Sequence, residues 1–286
     1  MLLDIKRVLI SFLTVCSLGA QAESVLYRGS NLDVVSLDEV LAQIPKGSVV
    51  IVSEQHGHAP HHRNQKALIE GLLGQGHQVD SALEFVQRRF NLEFERYMAG
   101  QLTDEQFTQA AEWGKIPFEL YKPLIWTPVL SGGRSWGINA DRRLTSKVAA
   151  SGLESLSEKE RLELPADFVV GNGEYFGRFR EAMKDHASPD EIERYFAAQS
   201  IWDDTMAYEI KKIHDLAPHR TLVVIVGDFH NAYGGGLPDR LRARGLNARY
   251  TISQVAKGRQ TCEQIKEEIK PRPQWGQRAD WVWVSP

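Results

Sequence analysis

The apolar run TLVVIVG at residues 221–227 constrains the possible fold more than any other stretch of this sequence. The run is continuous rather than alternating, which is typical of a strand that is buried on both faces. Strands of this kind occur in parallel sheets that are covered by helices on both sides. A second apolar run, VVIVS at residues 49–53, fits the same pattern. The sequence therefore predicts an α/β fold with a mainly parallel sheet flanked by helices.

The segment that follows residues 49–53 supports a parallel arrangement. A helical pattern covers residues 60–73, and a second strand is predicted at residues 78–85. A strand, a helix and a strand in this order form a βαβ unit, whose two strands are parallel. Further strands are predicted at residues 135–140 and 247–253, a late edge strand at 281–284, and a loop around Pro271 and Pro273.

Two long helical patterns interrupt the strands. They cover residues 88–130 and 142–218, whereas the α/β core is predicted at about residues 31–87, 133–141 and 220–286. We predict one domain over residues 30–286, in which these patterns form a smaller inserted helical subdomain. The chain of 286 residues is long enough for one large domain with an insertion.

Residues 1–22 have the pattern of a secretory signal peptide. Lys6 and Arg7 precede an apolar core at residues 8–20, and Ala20-Gln21-Ala22 forms a small-residue cleavage site. An apolar core of this length is too short for a permanent membrane-spanning helix. The pattern predicts an exported, periplasmic protein.

The two cysteines determine whether a lipid anchor or an internal disulfide is possible. A lipid anchor on Cys16 is the alternative to cleavage after Ala22, although Val15 stands where a lipoprotein signal normally has a small residue. Cleavage after Ala22 leaves Cys262 as the only cysteine, and this excludes an internal disulfide.

The charge of the chain gives no support to a nucleic-acid partner. The formal net charge is -3 at pH 7, and the lysines and arginines do not form a basic stripe. Nucleic-acid-binding domains normally carry such a stripe or patch. We therefore expect no nucleic acid among the partners.

Polar side chains follow four of the predicted strands. In chain order they are Glu54 with His56, Glu84, Asn139 with Asp141, and Asp228 with His230. The carboxyl ends of parallel strands lie at one edge of a sheet, where α/β proteins bind their ligands. Each residue taken alone has a plainer explanation as a helix cap or a solvated turn residue. Their coincidence at one edge favours a functional site.

Two chemistries fit this composition. Imidazoles and carboxylates together bind a divalent metal that activates water, with Glu54 or Glu84 as a ligand or general base. The predicted metal ligands are Glu54, His56, His61, Glu84 and His230. The alternative is a flat apolar cofactor such as haem, for which tyrosine, histidine and methionine are all axial ligands.

One helical pattern suits the second alternative. Tyr175, Phe179, Met183 and His186 are spaced by four, four and three residues, which places them on one helical face. Such a stripe of aromatic and methionine residues is also typical of ordinary core packing. Both interpretations stay open at this point.

Several short motifs together resemble the ChaN family, a haem-binding and iron-regulated family of the TIKI and erythromycin-esterase-like superfamily. The motifs run in order from Glu54-Gln55-His56 and Pro60-His61-His62-Arg63-Asn64-Gln65 through Ala82-Leu83-Glu84-Phe85, Tyr121-Lys122-Pro123-Leu124, Asn139-Ala140, Ala198-Gln199 and Trp202-Asp203 to Gly227-Asp228-Phe229-His230 and Tyr233-Gly234. The resemblance covers about residues 30–250.

The resemblance implies a haem-binding protein that takes part in haem or iron uptake. It implies an α/β domain with a smaller helical domain, and a homodimer that encloses haem with a tyrosine at the iron. It also implies a partner that delivers haem, such as an outer-membrane haem receptor or a periplasmic transport component. A non-enzymatic role is favoured over an enzymatic one.

Related branches of the superfamily use the matched polar positions for metal-dependent hydrolysis. Glu54, His56, Glu84 and His230 match that signature, so an esterase or peptidase is the alternative function. The family motif normally has an acid directly after the histidine, and this chain has Gly57 there instead. The missing acid weakens the hydrolytic alternative, because such a carboxylate orients a ligand histidine.

The tyrosine that would bind iron is not determined by a motif. Tyr175 is the first choice, because Arg178 follows it by one helical turn and a guanidinium stabilises a phenolate. Arg178 would equally suit the haem propionates. The predicted haem contacts are Tyr175, Met183, His186, Arg178 and Tyr121, and Tyr233 remains a further candidate.

Overall fold

The computed structural model describes residues 24–247 and 249–286. The predicted signal peptide at residues 1–22, with Cys16, lies outside the described residues. The strands are β1 (Val25–Arg28), β2 (Val34–Val35), β3 (Val49–Glu54), β4 (Val79–Gln87), β5 (Ser135–Asn139), β6 (Thr221–Gly227), β7 (Arg249–Ala256) and β8 (Trp281–Ser285). The α-helices are α1 (Leu37–Leu41), α2 (Ala59–Gly74), α3 (Asn91–Met98), α4 (Asp104–Ala110), α5 (Phe118–Leu130), α6 (Arg142–Ser151), α7 (Glu158–Arg161), α8 (Gly173–Met183), α9 (Pro189–Leu216), α10 (Asp228–Asn231), α11 (Leu237–Ala243) and α12 (Cys262–Ile269).

All eight strands form one sheet in the order β2-β1-β8-β7-β3-β6-β4-β5. The pairs from β8 through β7, β3, β6 and β4 to β5 are parallel, whereas β1 pairs in antiparallel fashion with both β2 and β8. The predicted α/β fold with a mainly parallel sheet is confirmed.

The central strands are buried on both faces, as their continuous apolar sequences predict. In β3, Val50 and Val52 join the core cluster that contains α2 and α5, whereas Val49 and Ile51 join the cluster that contains α9 and α11. Successive side chains of a strand point to opposite faces, so one strand supplies both cores. The sheet is therefore the middle of three layers.

The two helical insertions lie between neighbouring strands of the chain. Helices α3 to α5 connect β4 with β5, and helices α6 to α9 connect β5 with β6. Helix α5 packs against α2 and β4, and α9 packs against α6, α11 and β5. Helix α9 begins with Pro189 after a capping box formed by Ser188 and Glu191, which defines its start. Each insertion therefore begins at the carboxyl end of a strand of the sheet.

The prediction of an edge strand at residues 281–284 is wrong. Strand β8 lies inside the sheet between β1 and β7, and its five residues are buried. The strand β1 that covers it comes from the stretch after the predicted signal peptide, which has no alternating pattern of its own.

The region between β7 and β8 is not entirely a loop. Helix α12 begins after Thr261, whose side chain accepts from the backbone of Gln264, and the Gln264 side chain caps in return. Residues Thr261 and Gln264 are the sequence signature of a capping box, which is a signal that the loop prediction missed. Within residues 24–247 and 249–286, no helix has the length and apolar character that a membrane crossing requires.

Candidate functional site

Three adjacent strands bring four of the predicted polar residues together. Glu54 is the last residue of β3 and pairs with Gly227 at the end of β6, while β6 pairs on its other side with β4. His56 follows β3, Glu84 belongs to β4, and His230 belongs to α10 directly after β6. Glu84 lies inside its strand rather than at the end, because β4 continues to Gln87.

These four residues form what we call the carboxylate–histidine cluster. His56 Nδ1 lies 2.8 Å from Glu54 Oε1, and His56 Nε2 lies 3.9 Å from Glu84 Oε1. His230 Nε2 lies 3.3 Å from the same Glu84 oxygen. The backbone N–H of Gly227 donates to the other Glu84 oxygen at 2.5 Å. Glu84 is therefore the centre of the cluster, with one histidine on each side.

The charges of Glu84 and His230 stabilise each other. Burial opposes the ionised form of Glu84, but His230, His56 and the Gly227 N–H outweigh burial and lower its pKa to about 2. Burial likewise opposes the charge on His230, but Glu84 and Asp203 outweigh burial and raise its pKa to about 10. An ionised carboxylate and an imidazolium at neutral pH follow from this geometry.

Each insertion contributes one buried tyrosine to the cluster. The Tyr121 hydroxyl, on α5, donates to Glu54. The Tyr175 hydroxyl, on α8, donates to Asp203 Oδ2 at 2.8 Å, and Asp203 Oδ1 lies 2.7 Å from His230 Nδ1. The site thus has two halves, one with His56 and one with His230, that share the same order of contacts. In each half a tyrosine hydroxyl contacts a carboxylate, and that carboxylate contacts Nδ1 of the histidine. Both histidines approach Glu84.

Asp203 and Gln199 were not assigned a role from the sequence. Both lie on α9, where Gln199 Nε2 donates to the Tyr175 hydroxyl at 3.1 Å and lies 3.0 Å from His230 Nδ1. Asp203 is fully buried. The four-residue spacing of Gln199 and Asp203 places them on one helical face, and that spacing is a signal that could have paired them.

Exposure separates the two histidines of the cluster. The His56 side chain is 39% exposed, whereas that of His230 is 8% exposed. Burial opposes the charged form of His56, but the hydrogen bond with Glu54 and the charges of Glu84 and Glu54 together outweigh burial and raise its pKa. His56 is therefore the more accessible histidine of the cluster.

The structure places His61 apart from the cluster. Its Nδ1 accepts from the backbone N–H of Gln55 at 2.9 Å, and its ring lies 4.3 Å from that of His58. Burial lowers the pKa of His61 to about 3, so this imidazole is neutral. These contacts hold the turn between β3 and α2. Between residues 24 and 286, leaving aside residue 248, no group of three or more His, Cys, Asp or Glu side chains is spaced to hold a metal ion.

Asn139 and Asp141 also serve local structure. The Asn139 side chain accepts from the Ala140 N–H at 2.8 Å, and Asp141 caps α6 by accepting from Arg143 N at 2.8 Å. Asp141 is in addition 3.6 Å from an Arg89 nitrogen. The helix-cap explanation therefore accounts for Asp141.

A cavity of about 400 Å³ lies beside α8 and α10, and none of the four residues of the carboxylate–histidine cluster lines it. Its lining residues are Arg178, Glu181, Ala182, Asp228, Phe229, Ala232, Tyr233, Trp275 and Arg278. The guanidinium of Arg178 lies 4.0 Å from the Phe229 ring and 5.7 Å from the Tyr233 ring. The cavity thus combines a tyrosine, two further aromatic side chains and two arginines. It contains Arg178, one of the predicted haem contacts, and Tyr233, the further candidate for the iron ligand.

The other predicted haem contacts lie elsewhere. The Tyr175 side chain is 1% exposed, and burial and Asp203 raise its pKa well above 10 in spite of Arg178. Met183 is half-buried in the core around Phe196, and His186 is exposed and lies beyond the end of α8. The predicted single helical face therefore ends at Met183.

Gly236, directly before α11, closely approaches residues of α10, α8 and α9. A Cβ atom at Gly236 would lie 2.6 Å from the His230 carbonyl oxygen and 3.1 Å from the Tyr175 hydroxyl. A Cβ atom at 2.6 Å from a backbone oxygen is a clash, so only glycine allows this packing. Gly236 thereby belongs to the support of the His230 half of the cluster.

Comparison with known proteins shows the family. The sequence model of the family described as haem-binding uptake, Tiki superfamily, ChaN matches residues 40–241. The fold is similar to that of ChaN of Campylobacter jejuni, a structure that describes cofacial haem binding, with a TM-score of 0.66 and 14% identity over 92% of this chain and 97% of that chain. It is also similar to a mutant of the erythromycin esterase EreC in its open conformation, with a TM-score of 0.50 and 12% identity over 87% of this chain and 93% of that chain. No curated protein matches the sequence. The match over residues 40–241 covers most of the chain, and the chain therefore belongs to the ChaN family of haem-binding uptake proteins in the Tiki superfamily.

Proposed function

We propose that this chain binds haem in the cavity that Tyr233 lines, and that it does so as an exported protein of haem or iron uptake. The observation that carries the proposal is the position of Tyr233 between two guanidiniums. Arg178 lies 5.7 Å and Arg278 lies 5.6 Å from the centre of the Tyr233 ring. Arg278 is paired with Asp228, which also lines the cavity, so Arg178 is the guanidinium that offers an anionic oxygen of a ligand a positive charge there.

The residues of the cavity fit haem in three respects. Bound haem supplies an iron centre, for which tyrosine is one of the protein ligands in use. Phe229 and Trp275 offer aromatic surface for a flat macrocycle, and Arg178 offers a guanidinium for a propionate. Tyr233 is the tyrosine of this cavity. We therefore assign Tyr233 as the iron ligand in place of Tyr175.

Tyr175 and Tyr121 have a different role in this proposal. Each donates its hydroxyl proton to a buried carboxylate, Asp203 and Glu54 respectively. Iron ligation by either would first break that hydrogen bond and leave a buried carboxylate with one partner fewer. Met183 and His186 do not line the cavity, so we assign them no contact with haem.

A dimer fits the size of the cavity. Its volume of about 400 Å³ is in the lower part of the range for ligand sites, roughly 300–1,000 Å³. A haem bound here would stay partly uncovered, and a second copy of the chain would cover the remaining face. Cofacial haem binding in ChaN of Campylobacter jejuni supports this arrangement. A haem receptor of the outer membrane or a periplasmic transport component would deliver the haem.

Haemin titration tests the proposal directly. We expect purified protein to develop a Soret band with a phenolate-to-iron charge-transfer band on adding haemin, and to increase in size on a calibrated column. Tyr233→Phe removes the charge-transfer band, whereas Tyr175→Phe keeps it. A wild-type protein that leaves the haemin spectrum unchanged refutes haem binding. Loss of the band in Tyr175→Phe alone refutes the assignment of Tyr233.

The carboxylate–histidine cluster supports hydrolysis as a second candidate function. His56 is the accessible histidine, and Glu54 holds its Nδ1 at 2.8 Å. His56 would accept a proton from water at Nε2 while the water adds to an ester carbonyl, and would return that proton to the leaving oxygen. Since the described residues do not form a metal site, we derive no step through a metal.

Ester hydrolysis separates this candidate from haem binding. The expected result is turnover of p-nitrophenyl acetate that His56→Asn reduces by about 10²–10⁴-fold, the usual contribution of a general base. The matched control is His219→Asn, a histidine after α9 and away from the cluster. Equal rates in wild type and His56→Asn would refute the hydrolytic candidate.

A further inference from the structure

The backbone of Tyr233 has an uncommon conformation. Its φ of 61° and ψ of 12° lie in the left-handed region, which is disfavoured for residues that carry a Cβ atom. Such conformations persist only where the surrounding structure imposes them, and they concentrate at functional sites and ligand clamps. The contacts that impose this one indicate which residues prepare the site.

Those contacts come from the segment between α12 and β8. The Tyr233 N–H donates to the Arg278 carbonyl oxygen at 2.7 Å. The ring of Trp275 lies 5.3 Å from the Tyr233 ring, and the Arg278 guanidinium lies over the same ring. One short segment thus holds both the main chain and the side chain of Tyr233.

The segment is itself fixed to the sheet. Arg278 forms an ion pair with Asp228, and its Nε donates to Ser253 Oγ at 2.8 Å. Asp228 also accepts from Ser253 at 2.6 Å and from Ser53 at 2.5 Å, which are residues of β7 and β3. Arg278 is therefore fixed directly to β7 and to Asp228 after β6, and through Asp228 to β3, and this fixes the position of Tyr233.

We propose that Trp275 and Arg278 form a clamp that prepares the haem site, in which Arg278 positions Tyr233 and Trp275 contacts one face of the macrocycle. This inference rests on the proposed haem binding. Trp275 both packs against Tyr233 and lines the cavity, so it reaches the ligand itself. Arg278 is engaged by Asp228 and acts through Tyr233. Both residues lie beyond the matched range 40–241, so this wall of the site is not part of the family's matched sequence.

The roles proposed for Trp275 and Arg278 predict different effects of removing iron from the ligand. A residue that contacts the macrocycle affects haemin and metal-free protoporphyrin alike, because both have the same aromatic face. A residue that positions the iron ligand affects haemin alone. We therefore measure the binding of haemin and of protoporphyrin to wild type, Trp275→Leu and Arg278→Gln. Gln274→Ala, an exposed neighbour of Trp275, is the matched control.

For Trp275→Leu we expect both dissociation constants to rise by about tenfold, the size of one aromatic contact. For Arg278→Gln we expect a shifted haemin spectrum with a weaker charge-transfer band, and protoporphyrin binding that stays at the wild-type value. Hydrogen exchange of the Tyr233 amide in the ligand-free protein is expected to accelerate by about tenfold or more in Arg278→Gln. Gln274→Ala is expected to match wild type in every measurement.

Different binding results would refute the clamp and the proposed haem binding. If wild type binds haemin but Trp275→Leu and Arg278→Gln bind it with wild-type affinity and spectrum, the clamp is refuted and haem binding stands. If wild type binds neither haemin nor protoporphyrin, haem binding and the clamp are both refuted. Should Arg278→Gln fail to fold, Ser253→Ala, which removes the hydroxyl that accepts from Arg278 Nε, replaces it. An unaltered Tyr233 amide exchange rate in that variant refutes the positioning role.

Discussion

Nε2 of His230 lies 3.3 Å from Oε1 of Glu84, and this ion pair joins the strand β4 to the short helix that follows β6. Both side chains are largely withdrawn from solvent, at 8% and 13% exposure. The pair therefore contributes to stability in a way that depends on pH.

The sign of this dependence follows from the two pKa shifts. The folded-state pKa of His230 is raised to about 10, so its contribution is complete below the ordinary value near 6.5 and is lost as pH rises towards 10. The folded-state pKa of Glu84 is lowered to about 2, so its contribution is complete above about 4.5 and is lost as pH falls towards 2. We predict the largest contribution of the pair between about pH 4.5 and 6.5.

Urea unfolding at pH 6.0, 8.0 and 9.5 measures this effect. Wild type is expected to lose free energy of unfolding from pH 6.0 to 9.5, and Glu84→Gln is expected to show a smaller loss. Glu84→Gln is also expected to lower the free energy of unfolding at pH 6.0 by about 3 kcal/mol, as for a broken buried pair. Glu70→Gln, an exposed glutamate paired with Lys66, is the control. Parallel pH curves for wild type and Glu84→Gln would contradict the prediction.

Gly236 provides a test of the packing around His230. Gly236→Ala introduces a Cβ atom 2.6 Å from the His230 carbonyl oxygen, so α10 or the start of α11 must move. We expect a loss of about 1–3 kcal/mol in the free energy of unfolding, typical of overpacking. Gly173→Ala is the control, because a Cβ atom at that helical position meets no atom within 4 Å. Equal stability of the two variants would show that this approach is not tight.

A buried ion pair connects α9 with the end of α11. Asp204 is fully buried, and Arg244 donates to both of its oxygens at 2.9 Å. Burial raises the pKa of Asp204 although Arg244 and Arg240 oppose that shift. Arg244→Gln is expected to lower the free energy of unfolding by about 3–5 kcal/mol, because it leaves a buried carboxylate with poor compensation.

Arg242→Gln is the matched control for this pair. Arg242 is 54% exposed and pairs with Asp239 at 3.0 Å on the same helix. Exposed pairs of this kind contribute less than about 1 kcal/mol. Thermal melts of both variants are sufficient for the comparison, and similar melting temperatures would contradict the prediction.

Tyr175 is expected to matter for stability. Tyr175→Phe removes the hydroxyl that donates to Asp203 at 2.8 Å and leaves this oxygen of a buried carboxylate without that donor. The expected loss in the free energy of unfolding is about 1–3 kcal/mol. Tyr208→Phe, which changes a 39% exposed tyrosine of α9, is expected to stay within about 0.5 kcal/mol of wild type. A neutral Tyr175→Phe would mean that the hydrogen bond contributes nothing net.

The strand predictions show what local patterns determine. The runs at residues 49–53 and 221–227 predict strands buried on both faces, and β3 and β6 lie side by side at the centre of the sheet. The edge position predicted for residues 281–284 is wrong, because an unpredicted strand, β1, pairs with β8. An apolar run identifies a buried strand but carries no information about which strand pairs with it.

The sequence by itself determined that a parallel sheet carries Glu54, His56, Glu84 and His230 at one edge. The period of two is a local property, the order of strand, helix and strand predicts parallel pairing, and parallel pairing brings these ends together. Only the tertiary structure decided which side chains of the insertions and of the C-terminal segment contact the residues at that edge. Asp203 meets His230, and Trp275 and Arg278 meet Tyr233, because helices and loops far apart in the chain pack against that edge. Those contacts arise from packing in three dimensions, which no periodicity in the sequence encodes.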